Sequence, residues 1–213
     1  MGKITRISTS NMSHTDWLEE RKKAVGGSDA SAVLGLNPYV TPYTLWANKT
    51  GRLPDLDDNE AMRQDRDLEP YVVQRFEEVS GKRCRRIHAI LRNSDYPWAS
   101  ANIDRAVIGE SAGLECKTTN VLNLRKFQGG EFLDIYYCQC VHYLSVTQWQ
   151  RCYLAVLDSP PAVLKWLSKW PVLPIPMVRW VLLATFWASA TWRSALLIPP
   201  PRLLQPVALM PPV

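Results

Sequence analysis

The sequence contains no CxxC pair and no cluster of histidines and cysteines at zinc-finger spacing. Its five cysteines, an odd number, are scattered at Cys84, Cys116, Cys138, Cys140 and Cys152. Structural zinc sites and iron–sulfur clusters need closely spaced cysteines, and a disulfide framework needs an even set. We therefore expect a reduced, cytosolic protein without any of these cross-links.

The sequence also has no uninterrupted apolar segment typical of a secretory signal or a membrane span. The opening residues MGKITRISTSNMSHTDW lack the apolar stretch of a secretory signal, so export is not expected. The run PMVRWVLLATFWASATW begins at Pro176, shortly after Pro174, and is interrupted by Arg179. It is a poor candidate for a membrane span, and we expect a cytoplasmic protein without membrane contact.

The formal charge of +5 suggests a polyanionic partner until its position is considered. Residues 158 to 213 hold five basic side chains and one acid, whereas the first 157 residues hold 20 basic and 19 acidic ones. Bulk charge therefore gives no evidence that the folded part binds nucleic acid. Such a prediction must rest on local clusters.

The composition changes near Asp158. Residues 158 to 213 contain neither glycine nor glutamate, but hold 11 of the 16 prolines and five of the nine tryptophans. Proline at this density sustains neither helices nor strands. We predict one globular domain over residues 13 to 157 and an atypical Pro/Trp-rich tail over 158 to 213, disordered or translated out of frame. The alternative is a genuine tail that docks on a partner or membrane surface.

Residues 13 to 157 alternate helix and strand signals, as in an α/β domain. Four helices are predicted first: WLEERKKA after a Ser13 or Thr15 cap, SDASAVL capped by Ser28, TPYTLWANKT ending at Gly51, and a longer helix from Glu69-Pro70 to Gly81. Three strands follow: RCRRIHAIL, ASANIDRAVI and AGLECKTT, the last two joined as a hairpin by GESAG. A helix, IYYCQCVHYLSV, and a strand, RCYLAVL, complete the domain.

Three charged side chains converge in the predicted hairpin. Residues two apart on a strand share a face, so Glu115 and Lys117 project together while Cys116 points into the core. Asp104, on the preceding strand, lies across from them. Carboxylate oxygens bind Mg²⁺ or Mn²⁺, and a neighbouring lysine can orient or deprotonate water, so the group suits phosphodiester hydrolysis. A solvated surface ion pair is the alternative.

Two further positions are ambiguous. Gln139 and Tyr143 are four apart on the predicted helix and share a face that could hold a phosphate or the nucleophilic water, although an ordinary amphipathic helix has the same pattern. Glu69 is either an acid placed favourably at a helix start or an additional metal ligand.

A phosphate-binding arrangement is predicted near the N-terminus. Gly26 and Gly27 allow close backbone approach, Ser28 offers a hydroxyl at a helix start, and Arg21 supplies a bidentate donor. A capped helix after a turn is the alternative.

The ordered combination of RKKAVGGSDASAVLGLNPYVTPYTLWANKTG, LEP, NIDRAV, GLECKTT and YYCQCVHYLSVT resembles the YqaJ-type viral recombinase family. That family is similar to phage lambda exonuclease within the PD-(D/E)xK nuclease superfamily. The resemblance covers about residues 15 to 157. It implies an α/β restriction-endonuclease-like core with a central mixed sheet flanked by helices, Mg²⁺ dependence, and 5′ to 3′ degradation of one strand of duplex DNA from an end. Such degradation feeds recombination by single-strand annealing.

The resemblance also implies roles for individual residues. Asp104 and Glu115 match the metal-binding acids, Lys117 the catalytic lysine and Glu69 the upstream acid, which is a further candidate metal ligand. Gln139 and Tyr143 match the QxxxY element, and Arg21 with Ser28 matches the pair that contacts the 5′-phosphate. The sequence departs from the family in three places: the glycine usual shortly before LEP is absent, Gln148 replaces a common turn glycine, and the resemblance stops abruptly after RCYLAVL.

The sequence favours one function and leaves two alternatives. The first is an active exonuclease on duplex DNA ends, expected in a phage or prophage protein that acts as a homo-oligomer with a single-strand annealing partner. The second is a DNA-end-binding recombination accessory protein without turnover. The third is an endonuclease on the same core, which would cut closed circular DNA.

Overall fold

The computed structural model describes residues 2–54, 59–119, 134–158 and 164–166. The strands and helices of this part follow in the order β1 (Ile4–Ser8), α1 (His14–Lys22), α2 (Gly27–Val33), α3 (Pro42–Lys49), α4 (Glu60–Ser80), β2 (Cys84–Arg85), β3 (Ala89–Asn93), β4 (Tyr96–Ala101), β5 (Arg105–Val107), β6 (Ala112–Thr119), α5 (Asp134–Thr147), β7 (Arg151–Asp158) and β8 (Leu164–Trp166). This confirms an α/β chain, in which β1 precedes the first four helices and α5 interrupts the later strands.

The strands form two sheets. β1, β3 and β4 make an antiparallel sheet in that order, and β2, β5, β6, β7 and β8 make a second one. In the second sheet β6 and β7 are parallel, whereas the other neighbours are antiparallel. A parallel pair needs a crossover, and α5 lies in the connection between β6 and β7. The predicted mixed sheet is therefore present.

Helices cover both faces of the mixed sheet. Cys152, Leu154 and Val156 of β7 belong to a core cluster that includes residues of α5. Tyr153 and its alternate neighbours belong to a second cluster with Phe76 of α4. Because successive strand residues point to opposite faces, α4 and α5 lie on opposite sides of the sheet. This is the flanked arrangement expected of a PD-(D/E)xK core.

The helix ends confirm some sequence signals and correct others. The Ser13 side chain caps α1 by accepting a hydrogen bond from the Asp16 amide at 3.1 Å, and Gly81 ends α4 at a φ of 68°. The α2 cap, however, is Gly26, so the prediction of Ser28 as the cap is wrong. Asp29 takes over the capping role, because its carboxylate accepts from the Gly26 amide at 2.8 Å.

The start of α4 was also predicted wrongly. The helix begins nine residues before Glu69, after an Asn59 cap, and runs through Pro70. Proline is compatible with a first turn, which made it look like a start signal. Within a helix it removes one backbone hydrogen bond, but here Val72 and Phe76 are fully buried against the sheet and hold the later turns in place.

Two of the predicted strands are each divided. RCRRIHAIL forms β2 and β3, separated at His88 with a φ of 47°, and ASANIDRAVI forms β4 and β5, which belong to different sheets. Asp104 therefore lies in the bend just before β5, not inside a strand. The hairpin itself is confirmed, since β5 and β6 pair antiparallel with Arg105 opposite Leu114.

Two strands were not predicted. β1 pairs with β3, and β8 pairs with β7 from within the tail segment. Asp158, the first tail residue, ends β7, and tail residues 159–163 and 167–213, including the apolar run that begins at Pro176, lie outside the described residues. No helix in the described ranges is long and apolar enough to cross a membrane.

Candidate active site

The hairpin register brings Asp104 beside the β6 strand. With Arg105 opposite Leu114, continuation of the antiparallel register sets Asp104 opposite Glu115. The Asp104 Oδ2 atom accepts a hydrogen bond from the Cys116 amide at 2.7 Å. This bond fixes the Asp104 carboxylate at the strand edge, as the sequence analysis expected of the pair.

Glu115 is the point where the polar contacts of the site meet. Its Oε1 atom lies 2.6 Å from Lys117 Nζ and accepts a 2.6 Å hydrogen bond from the Gln139 amide nitrogen. The same Gln139 nitrogen donates to the Tyr143 hydroxyl at 2.8 Å. β6 and α5 thus bring together four of the predicted site residues, and Cys116 packs on the opposite face of β6.

Burial and neighbouring charges shift the pKa values of the site residues. Glu115 is only 2% exposed, and desolvation raises the pKa of its carboxyl despite the nearby Lys117 ammonium. Desolvation, with repulsion from Glu115, also raises the pKa of Asp104. Burial acts to lower the pKa of Lys117, but the carboxylates of Glu115 and Asp104 outweigh it, and the net shift is upward. Two acids whose charge is disfavoured in this way gain stability from a bound cation.

The donor set fits a divalent metal. Glu115 Oε2 is buried and has no hydrogen-bond partner among the described residues, so this carboxylate oxygen is available to act as a metal ligand. No three His, Cys, Asp or Glu side chains in the described ranges form a group arranged to hold a metal ion. Magnesium is commonly held by one or two carboxylates, with water and substrate oxygens completing its shell. Asp104 and Glu115 suffice for such a site.

Glu69 lies close by with different partners. Its Oε1 atom accepts from the Arg105 guanidinium and, at 3.4 Å, from Arg86. Arg105 also donates to the Asp104 carbonyl at 2.7 Å, so Glu69 lies near the bend that carries Asp104, and its charge contributes to the raised pKa of Asp104. Through this oxygen, however, Glu69 is bound to arginine.

Sequence reasoning missed Arg105. The residue is 7% exposed, and besides Glu69 it donates to the Asp104 carbonyl at 2.7 Å. It therefore ties α4 to the bend that carries Asp104. The sequence signal that could have found it is a basic residue at the start of the apolar run RAV. An arginine in a buried strand is expected to pair with an acidic side chain.

A second missed contact joins α4 to the end of β6. Asp65 accepts from the Thr118 hydroxyl and from the Thr118 amide at 3.3 Å. Thr118 follows Lys117 directly, so α4 supports the strand at the site. Asp65 stands in the segment MRQDRD, where the usual family glycine is absent.

The structure also brings the predicted phosphate-binding pair together. Arg21 donates to the Ser28 hydroxyl at 3.0 Å, and its guanidinium stacks 4.7 Å from the Trp17 ring centroid. Gly27 packs against Tyr143, since a Cβ added there would lie 2.3 Å from the Tyr143 ring. Tyr143 therefore links the start of α2 to the Gln139 and Glu115 contacts.

Known proteins provide an independent comparison. The profile of a family described as the YqaJ-like viral recombinase domain matches residues 16–150. An uncharacterised protein, YqaJ of Bacillus subtilis (strain 168), is 46% identical over 151 residues, which cover 70% of this chain and 47% of that protein. The chain thus spans about half the length of this relative.

Solved exonuclease structures share the fold. The alkaline exonuclease LHK-Exo of Laribacter hongkongensis superposes with a TM-score of 0.63 at 17% identity, covering 84% of this chain and 95% of that one. Its complex with dAMP gives a TM-score of 0.65 at 16% identity, with the same coverage of the two chains. A phage-related exonuclease of Haemophilus somnus 129PT gives 0.56 at 9% identity over 81% of this chain and 96% of that one.

Proposed function

This chain belongs to the YqaJ-like viral recombinase family, and from Asp104, Lys117 and the buried Glu115 we propose that it is a metal-dependent DNA exonuclease. The observation that carries the proposal is Glu115 Oε2, a buried carboxylate oxygen without a hydrogen-bond partner among the described residues, on the strand to which Asp104 is bonded. The fold shared with exonucleases of known structure supports it.

The proposed roles follow from the contacts. Asp104 and Glu115 would hold Mg²⁺, with Mn²⁺ as an alternative. When bound, the cation polarises the scissile phosphate and lowers the pKa of the attacking water. The Lys117 ammonium, next to Glu115, offsets negative charge that develops on the phosphate. Gln139 holds Glu115 in its orientation.

The substrate proposed is the end of linear duplex DNA, degraded 5′ to 3′. Arg21 donates to Ser28, and this leaves the Ser28 hydroxyl hydrogen and further guanidinium N–H groups to bind a terminal phosphate. Tyr143 contacts both the α2 start and Gln139, and so connects this phosphate site with the acids.

The wider setting is proposed from family membership. Digestion from 5′ ends leaves single strands, which an annealing protein can pair, so we propose a recombination role with such a partner. We also propose action as a homo-oligomer in the cytoplasm of a bacterial host that carries the phage or prophage.

One experiment separates the candidate functions. Linear and closed circular duplex DNA are incubated with the protein in Mg²⁺ or in EDTA. We expect digestion of the linear DNA alone, and only in Mg²⁺, because an exonuclease needs an end. Cutting of the circle would instead identify an endonuclease on this core, and binding to ends without cleavage would identify an accessory protein.

A further inference from the structure

A buried ion pair lies behind Arg21 and Ser28. Lys49 Nζ of α3 is 2.6 Å from Asp29 Oδ2 of α2, and the two side chains are only 10% and 11% exposed. By contrast, Ser28 is exposed and Arg21 is half-buried. The ion pair is therefore less accessible than Ser28 and would not itself contact a ligand bound at the surface.

The Lys49 ammonium also binds the segment that follows α1. It donates to the Arg21 carbonyl at 2.8 Å and to the Ala24 carbonyl at 3.0 Å. The Arg21 carbonyl belongs to the last turn of α1, where carbonyls lack partners within the helix. The Lys49 ammonium therefore combines two hydrogen bonds to backbone carbonyls with the ion pair to Asp29.

Asp29 extends the connection to the start of α2. The oxygen that binds Lys49 also accepts from the Gly26 amide at 2.8 Å. One continuous set of bonds thus runs from the end of α1 through Lys49 and Asp29 to the first turn of α2. The two ends that it joins carry Arg21 and Ser28, whose side chains are bonded at 3.0 Å.

Burying an ion pair is seldom the most stable solution. Apolar side chains of similar volume often give equal or greater stability, because two charges lose their hydration. What the pair supplies in return is directional bonding to fixed backbone groups. Here those groups set the spacing between two helix ends.

We propose that Lys49 and Asp29 are positioning residues for specificity, which hold Arg21 and Ser28 at the spacing that recognises a terminal phosphate on DNA. The inference rests on the proposed function, because it deepens the role of the Arg21 and Ser28 pair. Neither Lys49 nor Asp29 needs to touch the phosphate.

The test measures binding without turnover. Affinities for matched duplexes with 5′-phosphate and 5′-hydroxyl ends are measured by fluorescence anisotropy in EDTA. We expect the parent to prefer the phosphate by about 10-fold, and Arg21→Ala to abolish this preference. Lys49→Met should reduce it to within about 2-fold while leaving affinity for the hydroxyl end unchanged.

Two further variants keep the test decisive. The double variant Asp29→Asn with Lys49→Met removes both buried charges and retains an acceptor for the Gly26 amide, so it guards against misfolding of the single variant. Lys23→Met removes a lysine that is mostly exposed and should keep the full preference. A folded double variant that keeps the preference of the parent, or loses affinity for both ends equally, would overturn the inference.

The same proteins separate this inference from the nuclease proposal. Cleavage of both duplexes is measured in parallel in Mg²⁺. A parent that prefers the phosphate but cleaves nothing would contradict the nuclease while leaving the inference standing. A parent that cleaves but shows no phosphate preference would overturn the inference alone.

Discussion

At the scale of single residues, Glu115 combines burial, charge and an oxygen without a partner. Its Oε1 atom is held by Lys117 and Gln139, while Oε2 has no hydrogen-bond partner in the described part of the chain. Burying a carboxylate in this way costs free energy that a functional site recovers when a cation binds. Substitutions here should therefore affect metal chemistry more than folding.

Replacing Asp104 or Glu115 by Ala should abolish metal-dependent cleavage and leave DNA binding largely intact. The acids would hold the metal, whereas the phosphate contacts are proposed for Arg21 and Ser28. Cleavage in Mg²⁺ and duplex binding in EDTA measure the two effects. Substantial cleavage by both variants would end the nuclease assignment.

Lys117→Ala should slow turnover by about 10² or more without a matching loss of metal affinity. The ammonium lies 2.6 Å from Glu115 and is a cation, so we expect it to stabilise developing negative charge and not to act as a metal ligand. Single-turnover cleavage and calorimetric Mg²⁺ titration give the two quantities. Equal losses in both would instead make Lys117 a support for the metal site.

At the scale of elements, α5 contributes to both the site and the core. It carries Gln139 and Tyr143 toward β6, and on its buried side His142 Nε2 donates to the Ser100 carbonyl of β4 at 3.0 Å. The helix therefore joins the two sheets. Its stability depends on groups outside the catalytic chemistry.

His142 should make folding sensitive to mild acid. Burial lowers the pKa of His142, so the folded protein keeps the ring neutral while the unfolded chain protonates it near its ordinary pKa of about 6.5. The unfolded state then binds more protons, and stability is lost as pH falls below that value. Between pH 7.5 and 5.5 this loss should be about 1 kcal/mol.

The check uses His142→Gln, which retains a donor for the Ser100 carbonyl but does not titrate. Urea unfolding at the two pH values should show a smaller pH dependence in the variant than in the parent, by the amount above. Identical pH dependence in the two proteins would show that His142 is not responsible.

The turn after α5 contains a strained residue. Gln148 has a φ of 58° and donates its amide to the Leu144 carbonyl at 2.8 Å. This left-handed conformation costs a non-glycine residue roughly 1 to 2 kcal/mol, and glycine avoids that cost. Glycine also stabilises the unfolded chain through its greater backbone freedom, so only part of this free energy is gained on substitution. Gln148→Gly should therefore raise the free energy of unfolding by about 0.5 to 1 kcal/mol.

Urea denaturation of Gln148→Gly and of the control Gln150→Gly measures this effect. Gln150 does not have a positive φ, so glycine there brings no relief and should not stabilise. Equal responses of the two variants would rule out backbone strain as the cause. The position also matches the departure from the family noted in the sequence.

At the scale of the whole molecule, the tail has the least ordinary composition. Asp158 ends β7 and residues 164–166 pair with that strand, whereas tail residues 159–163 and 167–213 lie outside the described residues. A tail rich in proline and tryptophan, without glycine or glutamate, is not what a continuing α/β core requires. We propose that residues 158 to 213 are an aberrant extension, which would limit stability or assembly.

Resequencing of the coding region tests this proposal. We expect a frame change near codon 158 that restores family-like sequence when corrected. The corrected protein should then unfold at a higher temperature than the present chain, because a native segment would replace the tail. A clean reading frame, with residues 158 to 213 resistant to protease in the purified protein, would contradict the proposal.

The features that could be predicted from the sequence alone depend on residues that are close together in the chain. The alternation of Glu115, Cys116 and Lys117 assigned each side chain to its face, because strand geometry repeats every two residues. The caps at Ser13 and Gly81 followed from the chemistry of helix ends. The ordered motifs also identified the family, because their combination is more specific than any one of them.

Other features were decided only by the tertiary structure. The start of α4 depended on packing that overrides the signal of Pro70. The bond from Gln139 to Glu115 joins residues 24 apart in the chain, and the bond from Lys49 to the Arg21 carbonyl joins residues 28 apart. No local pattern predicts such contacts, because they form only when packing of the apolar core brings distant elements together and removes water from the groups between them.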